Sequence, residues 1–188
     1  NLEVNGYWMC DEGRYGWREI QRHDRLAEPR IREGGDQEQA TWEQALAFAD
    51  RHLLGAKGGL AVVLNGTLTN EEAYLLLKLA TDVWGAQLVC FEEGRKGLEI
   101  AFKSGFTIRE DRTPNGRGVR EIATALDIEL ESIQRLMAGI VDRTITRAYV
   151  VGSDALVESM ATAGHTFEDL GLLVVQATIP SSLTQSAH

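Results

Sequence analysis

The chain has 188 residues, a formal net charge of −9 and hydrophobic residues at 44% of its positions. These values suit one globular domain, or one domain with an appendage. The negative charge argues against nucleic acid and anionic lipid as partners, because their phosphate groups demand a basic surface. No run of about eighteen apolar residues occurs, so the sequence predicts no transmembrane helix.

The first forty residues differ in character from the rest of the chain. Residues 1–40 are dense in Arg, Asp, Glu and Gly and show no amphipathic period, which predicts an irregular, extended lead-in. Thr41 then opens the first helix, because it is an N-cap residue with Gln44 at capping-box spacing. Apolar residues recur at helical intervals as far as Gly55. They are Trp42, Ala45, Leu46, Ala49 and Leu53.

From residue 60 onward, short apolar runs alternate with helical patterns. The apolar runs predict strands at Leu60–Leu64, Ala86–Phe91, Ala148–Val151 and Leu172–Gln176. Helices are predicted for residues 71–84, capped by Thr69 or Asn70, and for residues 118–126, 130–140 and 155–163. Residues 92–118 predict a long loop with a short strand near 106–108, and residues 181–188 follow the last strand without a predicted element.

This alternation predicts an α/β domain over residues 41–188, with a mostly parallel, Rossmann-like sheet and helices on both faces. The strands are continuous apolar runs, as expected for strands that are buried on both faces. Ligands of such sheets bind at the carboxyl ends of the strands, near helix N-termini. Three junctions qualify here, at residues 65–70, 92–95 and 152–154. None carries a phosphate-loop pattern, so each is open to a second interpretation as a simple connection.

Cysteine, histidine and arginine offer few further candidate sites. Cys10 and Cys90 are far apart, so a disulfide framework is not predicted and reduced cytosolic thiols fit better. Cys90 lies within an apolar strand and is predicted to be core. The four histidines do not cluster, and a triad of Ser153, Asp154 and His165 lacks a nucleophile elbow. An arginine-rich stretch indicates either an anion site or a solvated surface network. Its members are Arg109, Arg112, Arg117 and Arg120.

Four stretches together resemble the molybdopterin-oxidoreductase superfamily, and within it the large iron–sulfur G subunits of bacterial NADH:quinone oxidoreductases (respiratory complex I). Residues 4–15, VNGYWMCDEGRY, look like the segment that holds the fourth cysteine of the family's [4Fe–4S] site. Residues 24–46 look like the RLxxP and SWxEAL segments that follow it. Residues 69–80 resemble the family's TNEE…KLA helix, and residues 173–184 resemble the strand before its ADVVLP motif.

The resemblance implies that Cys10 is one of four ligands of a [4Fe–4S] cluster in an intact subunit. The other three cysteines would precede Asn1, so the chain is expected to be an internal piece that carries no cluster by itself. It also begins without Met, signal peptide or lipidation motif. The implied partners are the other peripheral-arm subunits of the complex, on the cytoplasmic side of the inner membrane.

The same resemblance bears on molybdenum. Molybdenum enzymes of the superfamily place a Cys, selenocysteine, Ser or Asp ligand just after the second strand. Here Arg95 and Lys96 stand there, and Cys90 lies earlier, inside the strand. Asp154 stands where relatives contact the nucleotide of the pterin. We therefore expect a metal-free scaffold without bound molybdopterin. The alternatives are part of a formate-dehydrogenase-type molybdenum enzyme and a nucleotide-binding module.

Overall fold

The computed structural model describes residues 14–54, 58–94, 97–152, 156–157 and 167–188. Its strands are β1 (Arg30–Ile31), β2 (Glu38–Gln39), β3 (Leu60–Asn65), β4 (Leu88–Glu92), β5 (Ile100–Ala101), β6 (Thr107–Ile108), β7 (Arg147–Val151) and β8 (Leu172–Gln176). Its α-helices are α1 (Trp42–Leu53), α2 (Asn70–Lys78), α3 (Gly116–Ala125), α4 (Ile133–Val141) and α5 (Ser182–Ser186). Short 3-10 helices span Gly16–Gln21 and Phe167–Asp169.

Four strands form one parallel sheet in the order β4–β3–β7–β8. All six residues of β3 are buried, because strands flank it on both sides and helices cover both faces. Leu60, Val62 and Leu64 pack with residues of α1, α2 and α3. Ala61 and Val63 pack on the opposite face with residues of α4 and α5. The predicted α/β class, parallel sheet and two-sided helical cover are confirmed.

The predicted helix starts are confirmed where capping boxes specify them. The Thr41 hydroxyl accepts a hydrogen bond from the Gln44 backbone N–H, and the Gln44 side chain accepts one from the Thr41 N–H. Thr69 and Glu72 make the same reciprocal pair at the start of α2. A π-helical turn, Leu79–Val83, continues α2. In α1 the buried residues are Phe48 and Leu53, whereas Trp42 and Leu46 are exposed.

Four boundaries and segments differ from the prediction. Helix α4 begins at Ile133, not residue 130, because Glu131 exchanges backbone hydrogen bonds with Val89 and Phe91 of β4. Residues 181–188 are not a featureless tail, since Ser181 caps α5 and Leu183 is fully buried. The lead-in contains a 3-10 helix and the β1–β2 hairpin, and the 92–118 loop contains a second hairpin, β5–β6.

The lead-in packs on the end of the chain. The Gln37 side chain donates hydrogen bonds to the carbonyls of Thr184 and Ala187, and Arg32 donates to the carbonyl of Gln185. Most of the helix predicted for residues 155–163 lies outside the described residues. Within the described ranges, no helix has the length and apolar character that crossing a bilayer requires.

Candidate functional site at the strand ends

The carboxyl ends of β3 and β7 form the position at which an open parallel sheet usually receives a ligand. The chain leaves β3 toward β4 and leaves β7 toward β8, which lie on opposite sides of the β3–β7 pair. Connections that diverge in this way leave a crevice between the two strand ends. The predicted junction at residues 65–70 begins there, and Gly152 is the described residue of the predicted junction at 152–154.

Asn65 links the end of β3 to the end of β7. It is only 4% exposed. The carboxamide nitrogen donates to the carbonyls of Val151 and Gly152, at 3.4 and 3.5 Å. Its oxygen accepts from the N–H and hydroxyl of Thr67, at 3.0 and 2.6 Å. These hydrogen bonds hold the β3 turn against the end of β7.

The segment 111–116 covers the ends of β3 and β4 from above. A Cβ added at Gly66 would lie 2.5 Å from Cβ of Thr113, and one added at Gly94 would clash with Thr113 Cγ2. Asn115 holds this segment down, because its N–H donates to the Gly66 carbonyl at 2.8 Å. Its carboxamide nitrogen donates to the Leu68 carbonyl and to Asn70 Oδ1, both at 2.9 Å. The room above Gly66 and Gly94, at the ends of β3 and β4, is therefore occupied by the chain itself.

The Thr113 turn is stabilised internally. The Thr113 hydroxyl donates to Asp111 Oδ1 at 2.6 Å, and its oxygen accepts from the Gly116 N–H at 3.1 Å. The hydrogen bond from Thr113 holds the pKa of Asp111 below its usual value, with a smaller contribution from Arg120. Asp111 is therefore ionised, and its carboxylate stabilises this turn by accepting hydrogen bonds.

The arginine-rich stretch forms a surface network in three of its four members. Arg120 contacts Asp111 at 3.3 Å and Glu93 at 3.6 Å, and its guanidinium lies 4.4 Å from the centroid of the Phe91 ring. Arg117 pairs with Glu121 one turn along α3. Arg112 donates to the Leu98 carbonyl. These contacts favour the surface-network interpretation over an anion site.

A cavity of about 420 Å³ lies beside the end of β4. Glu92, Glu93, Glu131 and Arg120 line it, together with residues at the start of α4. Glu92 is only 3% exposed and stands in register with Asn65. Within the described residues, no three His, Cys, Asp or Glu side chains are grouped as metal ligands would be.

Cys90 is a core residue, as predicted. It has no exposed surface and packs with Ala61, Val63 and residues of α4. Burial raises the pKa of its thiol to about 12, with a smaller contribution from Glu131. Its surroundings are apolar, and the described residues place no group of metal-ligand side chains around it.

Several predicted site residues lie outside the described residues. They are Cys10, Arg95, Lys96, Ser153, Asp154 and His165. Sequence reasoning missed Thr113 and Asn115, which fill the strand ends. The available signal was the string Asp111 to Gly116, DRTPNG, in which Asp, Thr, Pro and Asn are typical of tight turns.

Comparison with known proteins agrees with the resemblance carried by the motifs. The G subunit of NADH-quinone oxidoreductase from Streptomyces coelicolor is 44% identical over 79 residues, which are 42% of this chain and 9% of that protein. The G subunit from Mycobacterium bovis is 36% identical over 103 residues, 53% of this chain and 13% of that protein. No family model matches the chain.

Oxidoreductases of a second kind are also similar. A Bacillus subtilis protein with a provisional formate dehydrogenase name is 31% identical over 86 residues, 43% of this chain and 9% of that protein. The matched segments thus span about a tenth of the length of these curated relatives. Over about half of its length, this chain is a homologue of a short part of the G subunits of NADH-quinone oxidoreductases.

Proposed function

We propose that the chain is a structural and electron-transfer segment of the G subunit of an NADH-quinone oxidoreductase, and that it holds no molybdenum. The observation that carries this proposal is the identity of 44% and 36% to two proteins named as that subunit. These matches are stronger than the 31% match to the provisional formate dehydrogenase. The parallel α/β domain is the architecture that the motifs predict.

The occupied ends of β3 and β4 support the proposal that this domain is a scaffold and does not bind a cofactor. A pterin nucleotide that extended over the ends of β3 and β4 would need the room above those two strands. Thr113 and Asn115 occupy that room, and their hydrogen bonds tie the segment to the β3 loop. The described residues therefore do not fit molybdopterin there. The sequence supports the same conclusion, because Arg95 and Lys96 stand at the expected ligand position and neither side chain ligates molybdenum.

Cys10 is the proposed iron ligand. A [4Fe–4S] cluster is held by four cysteine thiolates, and the chain contains only Cys10 and Cys90. Cys90 packs among apolar residues of the sheet and α4, so it is the less suitable of the two. The described residues offer no set of ligands for a cluster. Cys10 would therefore serve with three cysteines from elsewhere in the assembled protein.

The proposal extends to domains, partners and location. Residues 1–40 would be the lead-in from the iron–sulfur region, and residues 41–188 the α/β domain. The partners would be the other peripheral-arm subunits of the oxidoreductase. The assembly would lie on the cytoplasmic side of the inner membrane, attached through the complex.

Metal analysis of the NADH-quinone oxidoreductase purified from the native host tests the proposal. The chain should co-migrate with NADH dehydrogenase activity on a native gel, and the complex should contain no stoichiometric molybdenum. Cys10→Ser should remove about four iron atoms per complex, because one missing thiolate destabilises the cluster. Cys90→Ser is the matched control and should leave the iron content unchanged. Stoichiometric molybdenum would instead establish the formate-dehydrogenase alternative.

A further inference from the structure

His188 binds the outer edge of the parallel sheet through both its backbone and its ring. Strand β8 has β7 as its neighbour on one side only. On the other side, the His188 N–H donates to the Leu173 carbonyl at 2.9 Å, and the Leu173 N–H donates to Nδ1 of the His188 ring at 3.1 Å. Since a backbone N–H can only donate, Nδ1 is the acceptor and carries no proton. The ring that makes this contact is therefore neutral.

The surroundings of His188 disfavour a positive charge on its ring. Arg32 of the lead-in and His52 of α1 face it, whereas β8 and α5 contain no titratable residue. Arg147 of β7 directs its guanidinium at the carbonyls of His52 and Gly58. Burial, followed by the charges of Arg32 and His52, lowers the pKa of His188. The described carboxylates of the neighbouring elements are exposed to water, and they are Glu33, Asp36, Glu38, Glu43, Asp50 and Asp169.

We propose that His188 is an acid-sensitive latch, which holds residues 181–188 on β8 while its ring is neutral and loosens them when the ring is protonated. A protonated ring carries a hydrogen on both nitrogens, so Nδ1 can no longer accept from the Leu173 N–H and opposes it with a second donor. It also places a second positive charge beside Arg32. The latch goes beyond the proposed function and does not depend on it.

The lead-in is attached to the same segment. The Gln37 side chain donates to the carbonyls of Thr184 and Ala187, so these bonds exist only while residues 181–188 are in place. Loosening the segment therefore also frees the lead-in hairpin from the end of the chain. Leu183 is fully buried and provides a second attachment that does not titrate. Protonation accordingly raises the population of the open segment and does not unfold the domain.

Hydrogen–deuterium exchange of the full chain, read by mass spectrometry for residues 181–188, tests the latch. The exchange rate is divided into that of the unfolded peptide at the same pH, which gives a protection factor. We expect protection to fall by about tenfold from about pH 7.5 to about pH 5, because the open segment binds the proton more readily than the closed one. The lead-in should lose protection in parallel. A fall confined to residues 181–188 would keep the latch and overturn its coupling to the lead-in.

His188→Asn is the matched variant, because its carboxamide oxygen accepts from the Leu173 N–H and does not titrate. It should retain the protection of residues 181–188 and lose the dependence on pH. His23→Asn removes an exposed histidine of the lead-in and should behave as the wild type does. An equal fall in protection in His188→Asn, or constant protection in the wild type, would overturn the latch.

An NMR titration of the imidazole protons of the unmodified chain provides a second measurement that needs no folded variant. The His188 ring should titrate below the value of about 6.5 that is usual for an unfolded histidine. Its nitrogen shifts at neutral pH should show the proton on Nε2. Titration at or above about 6.5, or a proton on Nδ1, would contradict the latch.

Discussion

Asn65 and Glu92 stand opposite one another in the last register pair of β3 and β4, and both polar side chains are buried. The sheet therefore ends in two polar groups enclosed by the chain, at the edge where related architectures open to a ligand. Asn65 holds the β3 turn and β7 together, and Thr113 lies over the neighbouring glycine. At the ends of β3 and β4, local contacts thus occupy the room above the Gly66 and Gly94 turns.

Asn65→Ala should destabilise the fold by about 1–3 kcal/mol, because it removes two acceptor contacts to Thr67 and the donor contacts to β7. Urea denaturation followed by circular dichroism measures the change in the free energy of unfolding. Thr67→Val should cost less, since it loses only the hydroxyl contact. Equal losses for the two variants would show that the tie to β7 contributes nothing.

Gly94→Ala should destabilise the fold by about 1–3 kcal/mol, because the new Cβ meets Thr113 Cγ2 in a closely packed contact. Thr113→Ser removes that methyl group and keeps the hydroxyl that bonds Asp111. The double variant should therefore recover most of the loss, and a double-mutant cycle from denaturation curves measures the coupling. Additive effects would mean that Thr113 does not lie over Gly94.

Cys90 should make the stability of the fold fall at alkaline pH. The pKa of its thiol is raised to about 12 in the fold, above its ordinary value, so the unfolded chain loses the proton first. The stabilisation is complete below about pH 9 and is lost at about 1.4 kcal/mol per pH unit as pH rises toward 12. The difference in unfolding free energy between the wild type and Cys90→Ala isolates this dependence from other titrating groups. A difference independent of pH would contradict the burial of the thiol.

Thiol labelling gives a kinetic measure of the same burial. In a Cys10→Ser background, Cys90 should resist a disulfide reagent at pH 8, because the thiol is inaccessible and protonated. Guanidinium should make it react fully. Rapid labelling of the folded chain would place Cys90 at an accessible surface.

Thr69→Ala should destabilise the fold by about 1 kcal/mol, since it removes the acceptor for the Glu72 N–H at the start of α2. Thr69→Ser retains that hydroxyl and is the matched control. Thermal unfolding compares the two variants. A loss of the same size in both would assign the effect to the methyl group of Thr69 and not to the cap.

The local chemistry of the sequence specifies the elements of this fold. The capping boxes at Thr41 and Thr69 set helix starts because the interacting residues are only three positions apart. The strand Leu172–Gln176 is predicted to the residue because its apolar run, Leu172 to Val175, marks it, and Leu172 and Leu173 are buried. Glu131 shows the limit of such patterns. Its pairing with β4 moves the start of α4, and that pairing is decided by the packing of distant segments.

The sequence by itself determined the α/β class, the burial of Cys90 and the resemblance to the oxidoreductase family, because each depends on residues that lie close together along the chain. Only the tertiary structure decided that the ends of β3 and β4 are filled. Gly66 and Thr113 are brought together by the fold, and no local pattern records that one will lie against the other. The same holds for the β5–β6 hairpin. The sequence predicts only a short strand near residues 106–108, and the fold pairs it with residues 100–101.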